Sequence, residues 1–373
     1  MKIALVHDYL QEFGGAERVL IGLHQLYPQA PVYVAFVDPQ ALSGHWSLFS
    51  WWDLRPTFIQ KIPFHQQLRS PLRIVAPHAF ASLDLSEYDV VISSTNAYHA
   101  KAIRIRPDAV HLCYCHTPAR SLYGFDTRSQ WQEKPLTKWA GNITNHFLRQ
   151  TDWQTAQQAT AIIVNSQTVQ KRVAKYWRRQ STVVHPPVLM VDTNKKPALP
   201  SHDRHYYLYV NRLNYAKHPE LAVQVCLDLD LPLKVIGSGP MTESLSAMIS
   251  KKSTHQIELL VSVSDEQLLT YYQGAKALLY PAVDEDFGIV PVEAMATGTP
   301  VIAHRSGGPM ETIIAGKTGV FFDKLTPVAL KTAIRQAEQM RFDHNAIQKH
   351  AGQFSQSVFS RKIKQLVDKY AKH

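Results

Sequence analysis

What limits this chain most is a series of uninterrupted apolar runs of strand length, each separated from the next by a stretch of helical pattern. The runs are KIALVHD, PVYVAFV, DVVISS, AVHLCYCH and TAIIVNS, then YYLYVNR, LKVIGSG, IELLVSV, AKALLYPA and TPVIAHR. A strand with one wet face alternates apolar and polar residues; these do not, so they belong to sheets covered on both faces, the mark of a parallel α/β architecture. The series restarts once. Between Val184 and Tyr206 the stretch VHPPVLMVDTNKKPALPSHDRHY is rich in proline and polar residues, the composition of an interdomain linker. A length of 373 residues also exceeds what one core ordinarily serves. The expectation is two Rossmann-like domains, 1–187 and 188–354, with parallel sheets facing an interdomain cleft that holds ligand at the carboxyl ends of the strands. The closing segment QFSQSVFSRKIKQLVDKY sets Phe354, Val358, Ile363 and Leu366 along one helical face, so a helix over 355–373 is expected to pack back on the first domain.

The start, MKIALVHDYL, meets His and Asp too soon for a signal peptide or a membrane span, and Cys113, Cys115 and Cys226 form no disulfide framework. Both observations point to a cytoplasmic, reducing location. The string CYCH offers ligand-type residues at 113, 115 and 116 without a second cluster at workable spacing, so zinc is not expected. A net charge of +10 favours anionic partners: nucleic acid, anionic lipid or a phosphorylated ligand. Neither a helix-turn-helix, an RRM nor a zinc-finger pattern is present and the cations are dispersed, which disfavours nucleic acid.

Three loops carry chemistry. In VHDYLQEFGGAERVL, Gly14 and Gly15 lead from the first strand into a helix whose amino terminus favours a phosphate; the alternative is a permissive turn. In YVNRLNYAKHPELAV, Arg212 and Lys217 follow a strand, where a planar fork and a mobile point charge suit a diphosphate; two solvated surface cations are the alternative. In LLYPAVDEDFGIVPVEAMATG a helix is expected to begin near Val290 with Pro291 at its first position, which puts Glu293 in the first turn, where the helix dipole favours a carboxylate whatever the function. Glu285 has no such explanation. It lies in the preceding loop beside Phe287 and Gly288, and the two glutamates read as grips on hydroxyls of different parts of one long ligand.

Taken in order, FGGAERVL, CHTPARSLYGFD, AIIVNSQTVQKRV, NRLNYAK, VIGSGP and EDFGIVPVEAMATGTPVIAHRSGGPMETI resemble the retaining glycosyltransferases of family 4, which have the GT-B fold. The likeness runs along essentially the whole chain, and includes a resemblance to bacterial mannosyltransferases of polysaccharide and O-antigen assembly. The resemblance implies a nucleotide-sugar donor with its phosphates on Arg212 and Lys217, its ribose on Glu293, and its sugar on Glu285 and the amides of Phe287 and Gly288. Gly14 and Gly15 would approach the diphosphate, His116 would lie near the sugar and the reacting carbon, and Arg120 and Tyr123 would meet the acceptor. A capping or core histidine is the other reading of His116. Two positions depart from the family pattern: Val261 and His218 stand where many relatives carry glycine.

The implied activity is transfer of a hexose, mannose from GDP-mannose, to a saccharide acceptor, polyprenyl-diphosphate-linked in many related enzymes. A UDP-sugar transferase, an epimerase or phosphorylase of the same architecture, and a basic nucleic-acid binder are the alternatives. Preorganised cations stabilise a departing diphosphate without a metal, so no cofactor is expected. The Asp228/Asp230 and Asp284/Asp286 pairs are read as a solvated helix end and as flanks of Glu285. The segment FSWWDLRPTFIQKIPFHQQLRSPLRI interleaves Trp51, Trp52, Phe58 and Phe64 with Arg55, Lys61, Arg69 and Arg73, a mix suited to an anionic membrane surface on the cytoplasmic face. Lys171, Arg172, Lys175, Arg178 and Arg179, around Tyr176 and Trp177, form a second such cluster.

Overall fold

The computed structural model describes residues 1–125, 135–188, 198–252 and 256–371, with side chains from 141 onward in the second stretch. Asp126 of the CHTPARSLYGFD motif and the middle of the Val184–Tyr206 stretch lie outside these residues. The chain forms two compact units, Met1–Pro187 with Gln356–His373, and Val188–Ser355.

The first unit is built on β1 (Ile3–His7), β2 (Val32–Val34), β3 (Leu54–Pro56), β4 (Val90–Thr95), β5 (Val110–Cys115), β6 (Ala161–Val164) and β7 (Thr182–Val183). They form one seven-stranded sheet in the order β3-β2-β1-β4-β5-β6-β7, with every pairing parallel. Successive side chains of β1 enter opposite cores: Leu5 joins Val19, Leu23, Val34 and Leu112, while Ala4 and Val6 join Phe36, Phe80 and Val91. This double burial is the physical cause of the uninterrupted apolar runs, because the central strands of this sheet are covered on both faces.

The second unit contains β8 (Tyr206–Val210), β9 (Leu233–Ile236), β10 (Ile257–Leu260), β11 (Ala275–Tyr280), β12 (Val301–His304) and β13 (Gly319–Phe322). Their order in a six-stranded sheet is β10-β9-β8-β11-β12-β13, again entirely parallel. Tyr207 and Tyr209 pack into one core with Val235 and Ile334; Leu208 and Val210 pack into the other with Val292 and Phe354.

The three strands that the apolar runs do not announce, β3, β7 and β13, are all sheet-edge strands. β3 ends on Pro56 and is mostly exposed, as an edge position permits. The last helix, Gln356–Ala371, belongs to the first unit, and its buried residues are Phe359, Ile363 and Val367. The expected stripe therefore shifts: Phe354 precedes the helix and is buried in the second unit, while Val358 and Leu366 flank the apolar face. This helix lies on Gly15–Leu26, where Gly22 is the contact point: a Cβ there would stand 2.7 Å from Pro187 and 2.9 Å from Gln356 Oε1.

Candidate active site

In a parallel sheet the connections leave a crevice where the strand order reverses, at the carboxyl ends of the two strands concerned. In the second unit that point lies between β8 and β11, and Arg212, Lys217 and Glu285 all sit on the loops that leave these two strands. Lys217 ends a single 3₁₀ turn, Tyr215–Lys217, and is followed by His218 with a left-handed backbone, φ 50°. That conformation explains why glycine suits the position in relatives. The Lys217 ammonium is ion-paired with the Glu285 carboxylate. Their side chains retain 23% and 17% exposure, so the pair is reachable from solvent while partly shielded from it.

Glycines hold both loops by close backbone approach. A Cβ at Gly237 would lie 1.9 Å from the Asn211 carbonyl oxygen, and one at Gly239 would lie 2.3 Å from that of Leu213, so the GSG turn after β9 presses directly on the Arg212 loop. A Cβ at Gly307 would lie 2.4 Å from the Glu285 oxygen, and one at Gly308 would lie 2.3 Å from Phe287 Cα. Gly308 N–H also donates to the Glu285 carbonyl at 2.8 Å. These four supporting positions were not read from the sequence; paired glycines directly after β9 and β12 were the available signal.

The helix after the acidic loop runs Ile289–Ala296 from a left-handed Gly288, φ 82°. This corrects the expected start: Pro291 is not the first helical residue, and no acidic residue occupies the first turn. Glu293 therefore lies beyond the reach of the dipole argument. Its Oε2 instead accepts a hydrogen bond from the Tyr272 hydroxyl at 2.9 Å. Phe287 is buried at 3% exposure and its ring meets Phe354 edge-on, anchoring the loop from below.

In the first unit the order reverses between β1 and β4, and the loops leaving them carry Gly14 and Gly15 on one side and a cage around Asp8 on the other. Gly14 caps the Gly15–Leu26 helix; its N–H donates to Glu17 Oε2 at 2.8 Å. Neither glycine has a positive φ, so a left-handed turn is not what requires them. Asp8 accepts the backbone N–H groups of Asn96, Ala97, Tyr98 and Ala100 at 2.7–3.0 Å, which fixes the loop after β4. His116 follows β5 at 7% exposure. Its Nε2 lies 2.8 Å from Ser94 Oγ, and its carbonyl accepts from Asn165 Nδ2 at 2.8 Å. Burial pushes its pKa down to about 3, so it is a neutral imidazole.

Arg120 opens a short 3₁₀ turn, Arg120–Leu122, with its guanidinium 5.2 Å from the Phe125 ring centre. Tyr123 stacks on Tyr176 at 4.1 Å and donates its hydroxyl to Asp152 Oδ2 at 2.7 Å. Tyr123 is thus tied into the interior through its side-chain hydroxyl.

A family model described as Glycosyltransferase Family 4 matches residues 13–189, and one described as Glycosyl transferases group 1 matches residues 190–354. The chain belongs to glycosyltransferase family 4. The alpha-1,3/1,6-mannosyltransferase of Candida glabrata is 25% identical over 84% of this chain and 78% of its own length. Its counterpart from Kluyveromyces lactis is 26% identical over 84% and 71%. An uncharacterised glycosyltransferase of Methanocaldococcus jannaschii is 31% identical, but over 39% of this chain and only 42% of its own length, less than half of that relative. Among solved structures, Anabaena HepE in complex with UDP and glucose is similar over 99% of both chains, with a TM-score of 0.69 and 20% identity. Sucrose-phosphate synthase from Thermosynechococcus elongatus gives 0.70, 16% identity and the same coverage. The fold is GT-B.

In this glycosyltransferase the two basic-aromatic segments are not uniform surfaces. Trp52 is buried and stacks on His24 at 3.8 Å. Arg55 is tied to Asp53, Tyr33 and Tyr88, and Arg73 to Ser121. Trp51, Phe58, Phe64, Leu68 and Ile74 remain exposed. In the second cluster, Trp177 is core, Arg172 is buried against Thr117 Oγ1, and Arg179 donates to the carbonyls of Ala156, Gln157 and Ala159 at the end of the Pro135–Gln158 helix. Cation stems and forks of this kind serve packing as readily as charge. The Asp228 carboxylate is paired with Lys252 and Lys331, and among the described residues no three His, Cys, Asp or Glu side chains converge as a metal site. No helix of the described residues is long and apolar enough to cross a membrane.

Proposed function

We propose that this enzyme is a retaining transferase that moves mannose from GDP-mannose to a saccharide acceptor carried on a polyprenyl diphosphate. The observation that carries the donor half is the meeting of Lys217 and Glu285 at the strand-order reversal of the second unit, a cation for phosphate beside a carboxylate for sugar hydroxyls. Arg212 leaves the same strand two residues beyond its end. Mannose is supported by the likeness, over most of both chains, to fungal mannosyltransferases.

In this reading the sugar C1–O bond breaks with its electron pair going to the diphosphate, whose charge Arg212 and Lys217 stabilise without a metal. The acceptor hydroxyl forms the new bond to C1 from the same face, and its proton passes to a departing phosphate oxygen. Glu285 and the amides of Phe287 and Gly288 orient the sugar, Glu293 the ribose, Gly14 and Gly15 the diphosphate. His116 meets the sugar, with Arg120 and Tyr123 on the acceptor side. Trp51, Phe58, Phe64, Leu68 and Ile74, with Lys61 and Arg69 in the same stretch, suit peripheral attachment to an anionic cytoplasmic membrane surface that presents the acceptor.

A thermal-shift comparison of GDP, UDP, ADP and their sugars tests the donor. Ligand at a hundred times its Kd stabilises the native state by about 2.7 kcal/mol, and the expected order places GDP and GDP-mannose first. A response to UDP and UDP-glucose alone would instead favour the second reading, which the UDP and glucose held by the Anabaena neighbour supports.

A further inference from the structure

His116 is one end of a buried chain of polar groups that runs back to the helix after β1. The β1–β4 register sets His7 directly opposite Ser94, and His7 Nδ1 lies 3.0 Å from Ser94 Oγ. The same hydroxyl lies 2.8 Å from His116 Nε2. Beyond His7, its Nε2 faces Glu17 Oε1 at 3.6 Å, longer than a hydrogen bond but close enough for the carboxylate's charge to act on that nitrogen. The other oxygen of Glu17 is held by the Gly14 N–H. All four side chains are buried: Ser94 0%, His7 2%, Glu17 6%, His116 7%. Asp8 lies nearby, but its oxygens are occupied by backbone N–H groups of the loop after β4.

A neutral imidazole carries one ring proton and one lone pair, and a hydroxyl donates once. A carboxylate beside His7 Nε2 favours a proton there and repels a lone pair. Nδ1 of His7 is then the acceptor, the Ser94 hydroxyl donates to it, and the Ser94 oxygen can only accept from His116. We propose that Glu17, through His7 and Ser94, fixes His116 as the Nε2–H tautomer and leaves Nδ1 as a bare acceptor for a hydroxyl of the bound sugar. This rests on the reading of His116 as a residue that meets the sugar, and it makes Glu17, His7 and Ser94 positioning residues. Without them the ring could present an N–H where a sugar hydroxyl must donate.

Glu17→Gln is the informative change. Its amide oxygen keeps the Gly14 N–H while its NH₂ group offers His7 Nε2 a donor in place of an acceptor, and every hydrogen bond in the chain reverses. In long-range proton–nitrogen NMR spectra of the full chain with labelled histidine, His116 is assigned by the signal lost in His116→Gln. The native protein is expected to carry the His116 proton on Nε2 and Glu17→Gln to carry it on Nδ1; in a Ser94→Ala background, Glu17→Gln is expected to move nothing. A native proton on Nδ1, or the same tautomer in Glu17→Gln, overturns the proposal. With GDP-mannose turnover as the second readout, Glu17→Gln is expected to lower kcat about tenfold, the order of one hydrogen bond lost with its partner unpaired, and to leave GDP affinity unchanged. Native turnover in His116→Gln would remove His116 from the sugar and leave the tautomer result standing, so the two readings fail separately.

Discussion

Asp152 gives the first unit its most sensitive point. The side chain is fully buried and accepts from Lys101 Nζ at 2.5 Å, Trp177 Nε1 at 2.6 Å and the Tyr123 hydroxyl at 2.7 Å. Lys101 is itself 1% exposed and lies 4.6 Å from the centre of the Trp177 ring. Asp152→Ala strands a buried ammonium and two further donors. Breaking one side of such a pair costs about 3–5 kcal/mol, which for a unit of this size lowers its Tm by roughly 6–20 °C. Replacing both charges, Lys101→Met with Asp152→Leu, is expected to recover the part of that loss due to the stranded ammonium, while the Trp177 and Tyr123 donors stay unpaired. Hydrogen exchange of β4 and β5 amides is the suitable assay, since it reads the first unit separately from the second. A loss below about 1 kcal/mol in Asp152→Ala, or a double variant no more stable than the single one, would refute the reasoning. The pH dependence has a definite sign. Burial opposes ionisation of Asp152, but Lys101, then His99, outweigh it and hold the carboxyl below its usual range. A depressed carboxylate stabilises the fold above its unfolded pKa of about 3.9, and that contribution is lost as pH falls through the lower, folded value.

Three other outcomes are expected. Lys217→Ala removes a charge-assisted contact worth about 1.5–3 kcal/mol, so kcat/KM for the donor should fall about tenfold to a hundredfold, with residual activity indifferent to chelator; native turnover would reject the phosphate role. Glu285→Gln should lower sugar transfer more than affinity for the free nucleotide, as separate kinetics and titration would read; equal loss of both would move the residue away from the sugar. Gly308→Ala places a Cβ 2.3 Å from Phe287 Cα, so the acidic loop must shift at a cost of about 1–3 kcal/mol; the assay is donor KM beside far-UV circular dichroism, with KM raised and the spectrum unchanged.

The sequence disclosed whatever is repeated along the chain and hid whatever depends on strands meeting across a sheet. Central strands such as β1, β4, β8 and β11 were legible because burial on both faces leaves an uninterrupted apolar run. Two-residue β7 and proline-ended β3 carry no such run, since an edge strand needs neither length nor two dry faces. Arg212, Lys217 and Glu285 were legible as residues on loops that follow strands, and the β8–β11 neighbourhood brings Lys217 and Glu285 together. The His7–Ser94–His116 chain was not legible, because residues 7, 94 and 116 become neighbours only through the β1–β4–β5 order. Pro291 misled for a local reason: proline is tolerated throughout the first helical turn, and here the left-handed Gly288 sets the start.

The most direct test is a crystal structure of the full chain with whichever nucleotide sugar raises its melting temperature most. The expected result is a diphosphate within hydrogen-bond distance of both Arg212 and Lys217, the Lys217–Glu285 ion pair opened, and a sugar hydroxyl donating to Glu285. A nucleotide bound away from the β8 and β11 loops, with that ion pair intact, would contradict the account.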